Sequence, residues 1–218
     1  CRLDMVSAQS PSGQRSSDKR ILLRDEIDGA PKYLTTGEGS WLRTTEARVR
    51  FWGDLSKIMD VSTPTTYDES TIWPMYSAGD MRQYFMRCIN PDCNKEFVFD
   101  FERLKPEFKN GELIDAVYYC EHCETEIRNY HKPKLYENAR WIATAESFSK
   151  KYVSRQISSM YAPPGTYSWV QMYQDYLNAQ NEPDGMRTFT QISLGMPSRE
   201  TGARPKLKNL SEQRGIYR

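Results

Sequence analysis

Short apolar runs closed by polar or turn-forming residues alternate along this chain with amphipathic stretches, a pattern that predicts a mixed α/β fold. Leu3–Ala8 predicts a short strand, and the Ser- and Gly-rich stretch from Ser10 to Lys19 a loop. Ile21–Leu23 predicts a buried strand that runs through Arg24 into the adjacent carboxylates Asp25 and Glu26. Gly29 to Gly39 is loop. From Gly39, the spacing of Trp41, Leu42, Thr45, Val49 and Trp52 predicts a helix with one apolar face, leaving Arg43, Arg48 and Arg50 as a solvated face. Lys57–Val61 predicts a second buried strand, which stops at Ser62-Thr63-Pro64 because proline cannot continue a central strand.

From Ser77 the character changes. Arg82–Arg87 and Glu96–Phe101 are strand-like, and the second puts Phe97, Phe99 and Phe101 on one face. Asn110-Gly111 signals a hairpin, and Ala116–Tyr119 is strand-like again. After Tyr130 the chain turns helical, a strand-like piece begins at Trp141, and Tyr161-Ala-Pro-Pro-Gly165 is a break. Ser168 is placed to cap a helix over Trp169–Gln180, whose Trp169, Met172, Tyr173, Tyr176 and Leu177 form a core-facing stripe. A further helix over Asp184–Ile192 is expected to bury Met186 and Phe189 and to end near Gly195. The tail carries Arg199, Arg204, Lys206, Lys208, Arg214 and Arg218 against Glu200 and Glu212. It reads as a solvated linker, with electrostatic contact to DNA as the alternative.

Composition narrows the function classes. The 218 residues have a mean hydropathy of -0.77 and a net charge of +1, so bulk charge does not advertise nucleic acid and any such contact is local. No apolar run of about 18 residues exists to span a membrane. The opening Cys1–Ser10 has neither an initiating Met nor an apolar leader segment, which suggests the interior of a longer protein. Of five cysteines, Cys1 stands alone, while Cys88/Cys93 and Cys120/Cys123 form close pairs, C-x4-C and C-x2-C, separated by 26 residues. Without a secretory signal, such spacing points to metal before disulfides. Each pair sits where a strand gives way to a turn, the way zinc ribbons build their knuckles. Four thiolates close a tetrahedral Zn²⁺ shell, so the expected ion is structural and not catalytic. An iron–sulfur centre is the competing reading, and His122, inside the second knuckle, is a spare ligand.

The chemistry-bearing residues are the strand ends. In nucleotide hydrolases, the first acid of a strand-end pair holds Mg²⁺ and the second orients or deprotonates the attacking water. Two strand tips, one carrying Asp25 and Glu26 and the other small hydroxyl residues, can converge on one phosphate-binding crevice. The plainer alternatives are a solvated acidic turn and an ordinary Ser/Thr turn before proline.

Taken in order, these pieces resemble the ATPase region of the lambda-type (GpA-family) phage terminase large subunit. The strand ending in Asp25-Glu26, the downstream Ser62-Thr63-Pro64, and the two cysteine knuckles agree with the family in order and approximate spacing. So do Tyr161-Ala-Pro-Pro with Trp169…Tyr176-Leu177, and Thr188-Phe189…Leu194-Gly195-Met-Pro197. The resemblance implies a P-loop NTPase part, a mostly parallel sheet with flanking helices, carrying an inserted zinc-ribbon-like β subdomain. It divides the chain into ATPase core (1–80), zinc-ribbon-like insertion (81–130), remaining ATPase strand and helices (131–197) and basic linker (198–218). It further implies a motor that packages viral DNA into a procapsid in the bacterial host cytoplasm. ATP and Mg²⁺ would be used in the complete protein, with double-stranded DNA, the terminase small subunit, the portal and further copies of the subunit as partners. By carry-over, Asp25 is the Mg²⁺-holding Walker B residue, and Glu26 activates water. Ser62, Thr63 and Pro64 are the coupling motif, and Cys88, Cys93, Cys120 and Cys123 hold structural zinc. No G-x-x-x-x-G-K-[ST] is present, so the phosphate loop is expected upstream or on another chain, and the segment by itself is expected to be inactive. The acid cluster of the family's nuclease domain is not identifiable, and Arg24 stands where the family usually has an apolar residue. A non-enzymatic zinc-ribbon module that binds nucleic acid or a partner protein is the alternative from a different class.

Overall fold

The computed structural model describes residues 3–10, 13, 18–33 and 39–199. Cys1 and the basic tail beyond Arg199 lie outside the described residues. Strand β1 (Ile21–Arg24) pairs in parallel with β2 (Lys57–Asp60), in register from Ile21 opposite Lys57 to Arg24 opposite Asp60. Between them run α1 (Trp41–Glu46) and 3-10 turns over Ala47–Leu55, so the helix expected from Gly39 is short and unwinds, with a break at Gly53. Helix α2 (Ile72–Ala78) follows β2.

The rest is built on antiparallel pairs. Strand β3 (Gln83–Arg87) lies between β4 (Glu96–Phe97) and β8 (Arg140–Ile142). Strand β6 (Glu112–Tyr119) lies between β5 (Leu104–Lys109) and β7 (Glu126–Ile127). The β5–β6 turn is Asn110-Gly111, both residues at positive φ, as a tight primed hairpin turn requires. Helix α3 (Lys132–Tyr136) precedes β8. Helix α4 (Trp169–Ala179) opens on a capping box in which the Ser168 hydroxyl accepts from the Gln171 N–H. Helix α5 (Gly185–Thr188) runs into a π-helical turn over Phe189–Ser193.

One apolar core unites residues from β3 to the π-helical turn, among them Met86, Phe97, Leu104, Tyr118, Ile127, Met160, Trp169, Met172 and Phe189. Trp169 is fully buried, donates its indole N–H to the Met160 carbonyl (3.0 Å), and meets Phe99 edge-on at 5.2 Å. Of the stripe expected on α4, Trp169 and Met172 are buried in this core, and Tyr173 and Tyr176 pack half-buried against it.

Four further expectations are corrected. The sheet is not mostly parallel: among the described residues only strands β1 and β2 pair in parallel, while the other four strand pairs are antiparallel, as the short turns between neighbouring strands allow. The runs in β1 and β2 are strands, but not buried ones: Ile21, Leu23 and Met59 are 58%, 64% and 57% exposed. They share one face of a two-stranded sheet, and no described element covers that face. Leu3–Ala8 forms no strand, having no ladder partner among the described residues. Met186 is 40% exposed, while Gly185 takes the close contact: a Cβ there would lie 2.3 Å from the Ala179 carbonyl oxygen. No helix among the described residues is long and apolar enough to cross a membrane.

Candidate functional site

The two strand tips meet. Beyond the last β1–β2 pair, the Val61 N–H donates to the Arg24 carbonyl (2.9 Å), and the Asp28 N–H to Ser62 Oγ (3.0 Å). Asp25 and Glu26 are exposed at this end, with the Glu26 N–H on Asp25 Oδ1 at 3.1 Å. Glu26 has φ 49°, a left-handed conformation uncommon for a residue with a side chain and concentrated at functional turns. Ser62 is half-buried, Thr63 exposed and Pro64 buried. The acid pair and the hydroxyl segment thus share one rim.

Arg24, an unexpected residue in a strand core, has a physical explanation. Its guanidinium is buried, grips Asp60 through two hydrogen bonds (2.5 and 2.8 Å), and also donates to the Leu42 carbonyl (3.0 Å), Thr45 Oγ1 (3.3 Å) and Glu46 Oε1 (3.4 Å), which engages all five N–H groups. One side chain therefore fastens β1 to β2 and α1. A buried arginine that saturated has no donor left for phosphate.

Asp28 is the residue the sequence did not single out. Its Oδ2 accepts from the Thr65 N–H (2.9 Å) and Thr65 Oγ1 (3.2 Å), and its Oδ1 from the Thr71 (2.8 Å) and Ile72 (2.7 Å) N–H groups at the start of α2. Burial pushes this carboxyl up, but hydrogen bonds from Ser70 and the Ile72, Thr65 and Thr71 amides outweigh it and hold the pKa below the usual carboxylate range.

The second constellation lies in the antiparallel half. The β3–β4 turn carries Cys88 and Cys93, and the β6–β7 turn Cys120 and Cys123. Each knuckle closes the same way: Asn94 and Glu124, immediately after the second cysteine, have positive φ, and the Cys88 and Cys120 N–H groups bond across the turn to Lys95 and Thr125. The four Sγ atoms lie within 4.8 Å of one another, and Cys88 and Cys123 are 3.6 Å apart. Four thiolates about 2.3 Å from a tetrahedral zinc sit about 3.8 Å apart, so the donor set and spacing fit that ion. Burial pushes the Cys88 and Cys120 thiols up, whereas a hydrogen bond with the Thr125 hydroxyl (3.1 Å) leads the effects that bring Cys123 down to about 6. His122 points elsewhere, with Nε2 3.1 Å from the Glu96 carbonyl oxygen.

A small parallel sheet with polar strand tips, helices and two antiparallel sheets make this a mixed α/β protein. A family model of the phage terminase large subunit gpA ATPase domain matches residues 2–141, and the chain belongs to that family. Membership ties it to ATP-driven packaging of phage DNA. No curated protein and no solved structure matches the chain.

Proposed function

We propose that this chain supplies the hydrolytic edge of the ATPase in the DNA-packaging motor, together with a zinc-ribbon-like subdomain that stabilises it. The reading is carried by the adjacency of the Asp25–Glu26 tip and the Ser62–Pro64 segment along one parallel pair. Asp25 offers an exposed carboxylate oxygen to Mg²⁺, an ion that takes one or two carboxylates besides substrate phosphates. Glu26 holds and deprotonates the attacking water, and its left-handed backbone sets where that carboxylate stands. Ser62, Thr63 and Pro64 report the state of the γ-phosphate to the rest of the motor. When held there, Mg²⁺ would supply charge neutralisation for the phosphoryl transfer. Cys88, Cys93, Cys120 and Cys123 hold Zn²⁺, which ties the two hairpins together.

Residues 1–80 form the partial ATPase core, 81–130 the insertion, 131–197 the remaining ATPase region and 198–218 a linker. Double-stranded viral DNA, the small subunit, the portal of the procapsid and further copies of the subunit are the partners, in the host cytoplasm. In the complete large subunit, Glu26→Gln is expected to lower DNA-stimulated ATP turnover by about 10²- to 10⁴-fold while nucleotide still binds. Unchanged turnover would reject the catalytic role and leave the non-enzymatic zinc-ribbon module, which the self-contained thiolate site favours.

A further inference from the structure

We propose that Asp28 is a positioning residue that passes the state of the β1 tip, through Thr65, to the segment Leu194–Ser198. The proposal rests on reading Asp25 and Glu26 as the hydrolytic edge, and adds the route by which that edge is felt elsewhere. Asp28 stands two residues after Glu26, so a shift of the acid tip moves its backbone directly. Its N–H is committed to Ser62 Oγ, and its two carboxylate oxygens to Thr65 on one side and to Thr71 and Ile72 on the other. Hydrogen bonds to an ionised carboxylate are roughly twice as strong as neutral ones, so the tip, the residues after Pro64 and the start of α2 move as one piece or break several of them.

Thr65 continues the chain of contacts. Its carbonyl accepts from the Ser198 N–H (3.0 Å), and the Tyr67 N–H donates to the Ser198 carbonyl (3.1 Å), a parallel bridge centred on Thr66 and Ser198. Thr66 and Ser198 are both buried, so this bridge is not a surface contact exchanging with water. The receiving segment is itself held: Gln191 Nε2 donates to Ser198 Oγ (2.9 Å) and Gln156 Nε2 to the Leu194 carbonyl (2.8 Å). Gly195, at φ 63°, packs where a Cβ would come within 2.7 Å of the Ile157 carbonyl oxygen. Hydrogen bonding therefore runs from Asp28, two residues along the chain from the acid tip, through Thr65 to Ser198, next to Arg199. Packed elements of this kind switch between discrete arrangements and do not deform gradually.

The test uses the complete large subunit. Hydrogen exchange with a nonhydrolysable ATP analogue, against ADP, is expected to change protection at the Thr65, Thr71 and Ile72 amides and at Ser198 together. Protection that changes over 62–72 while 194–198 stays constant overturns the proposal. Asp28→Asn replaces one acceptor oxygen with an NH₂ that faces backbone donors. It is expected to raise the ATP consumed per length of DNA packaged by about tenfold, with ATP turnover kept within about threefold of wild type. Thr65→Val keeps the backbone bonds and loses only the hydroxyl. It is expected to raise the same ratio by about threefold, and reads the proposal should Asp28→Asn not fold. A wild-type ratio in folded Asp28→Asn, or in Thr65→Val when Asp28→Asn does not fold, overturns it. Unchanged turnover in Glu26→Gln instead removes the hydrolytic reading itself, so the two failures are distinguishable.

Discussion

The two halves of this molecule are held by different physics. From β3 onward, stability comes from apolar burial: Trp169, Tyr118, Phe97 and Met172 are enclosed, and ring contacts run from Phe97 through Phe99 to Trp169. The β1–β2 leaf buries little beyond Ile27 and Trp41, and shows solvent an apolar face. It keeps its shape through two charged staples, Arg24 on Asp60 and Asp28 on α2. The contrast teaches that a run of apolar residues states only where a strand wants cover. Burial depends on a second layer, which residues far away must supply.

The largest expected effect falls on the knuckles. Cys120→Ser should lose bound zinc, seen as about one metal per chain falling to none, with most of the roughly 10–16 kcal/mol of such a site forfeited and the hairpins opened to protease. Protein that folds fully without metal would contradict this. Next comes Trp169→Ala, expected to cost about 4 kcal/mol in urea unfolding, since it leaves a cavity beside Phe99 and removes the ring under the Lys132 ammonium (4.8 Å). In the leaf, Arg24→Ala should cost about 3 kcal/mol by the same measurement, because Asp60 loses its buried partner.

A smaller effect appears in the pH dependence. Lys132 is fully buried with its ammonium on the Ala162 carbonyl (2.9 Å), and burial brings its pKa from 10.5 down to about 8. The unfolded chain therefore binds this proton more tightly than the folded one, and stability should rise as pH climbs from about 8 toward 10.5. Thermal melting between these limits reads the slope, which Lys132→Met should flatten. Burial raises the pKa values of Tyr118, Tyr136 and Tyr161, which adds an opposing slope near the top of the range and leaves the lower part cleanest. Smallest is Leu23→Ser on the exposed face of the leaf, expected to stay within about 0.5 kcal/mol of wild type. A loss comparable to Trp169→Ala would mean that this face is covered.

Legibility in the sequence followed the range of the interaction. The knuckle turns, the Asn110-Gly111 hairpin and the Ser168 cap are local, and their residues announce them. The two strands were equally plain, and so were the polar groups at their ends. What stayed hidden acts across distance. Asp28 reaches acceptor-seeking amides 37 and 44 residues away, and Arg24 its carboxylate 36 away, with no periodicity to mark either. Ser198 joins Thr65–Tyr67 by backbone alone, which no side-chain pattern encodes. Exposure of Ile21 and Leu23 was invisible for the same reason, since periodicity reports a face and not what lies on it.

Divalent-metal binding at the acid tip tests the central claim most directly. With Mn²⁺ in place of Mg²⁺ and a nonhydrolysable ATP analogue bound to the complete large subunit, electron paramagnetic resonance titration measures metal affinity in wild type, Asp25→Asn and Glu26→Gln. If Asp25 holds the metal and Glu26 the water, Asp25→Asn weakens Mn²⁺ by about tenfold or more, while Glu26→Gln leaves its affinity within about twofold. Equal Mn²⁺ affinity in wild type and Asp25→Asn would contradict the assignment of this rim as the nucleotide site.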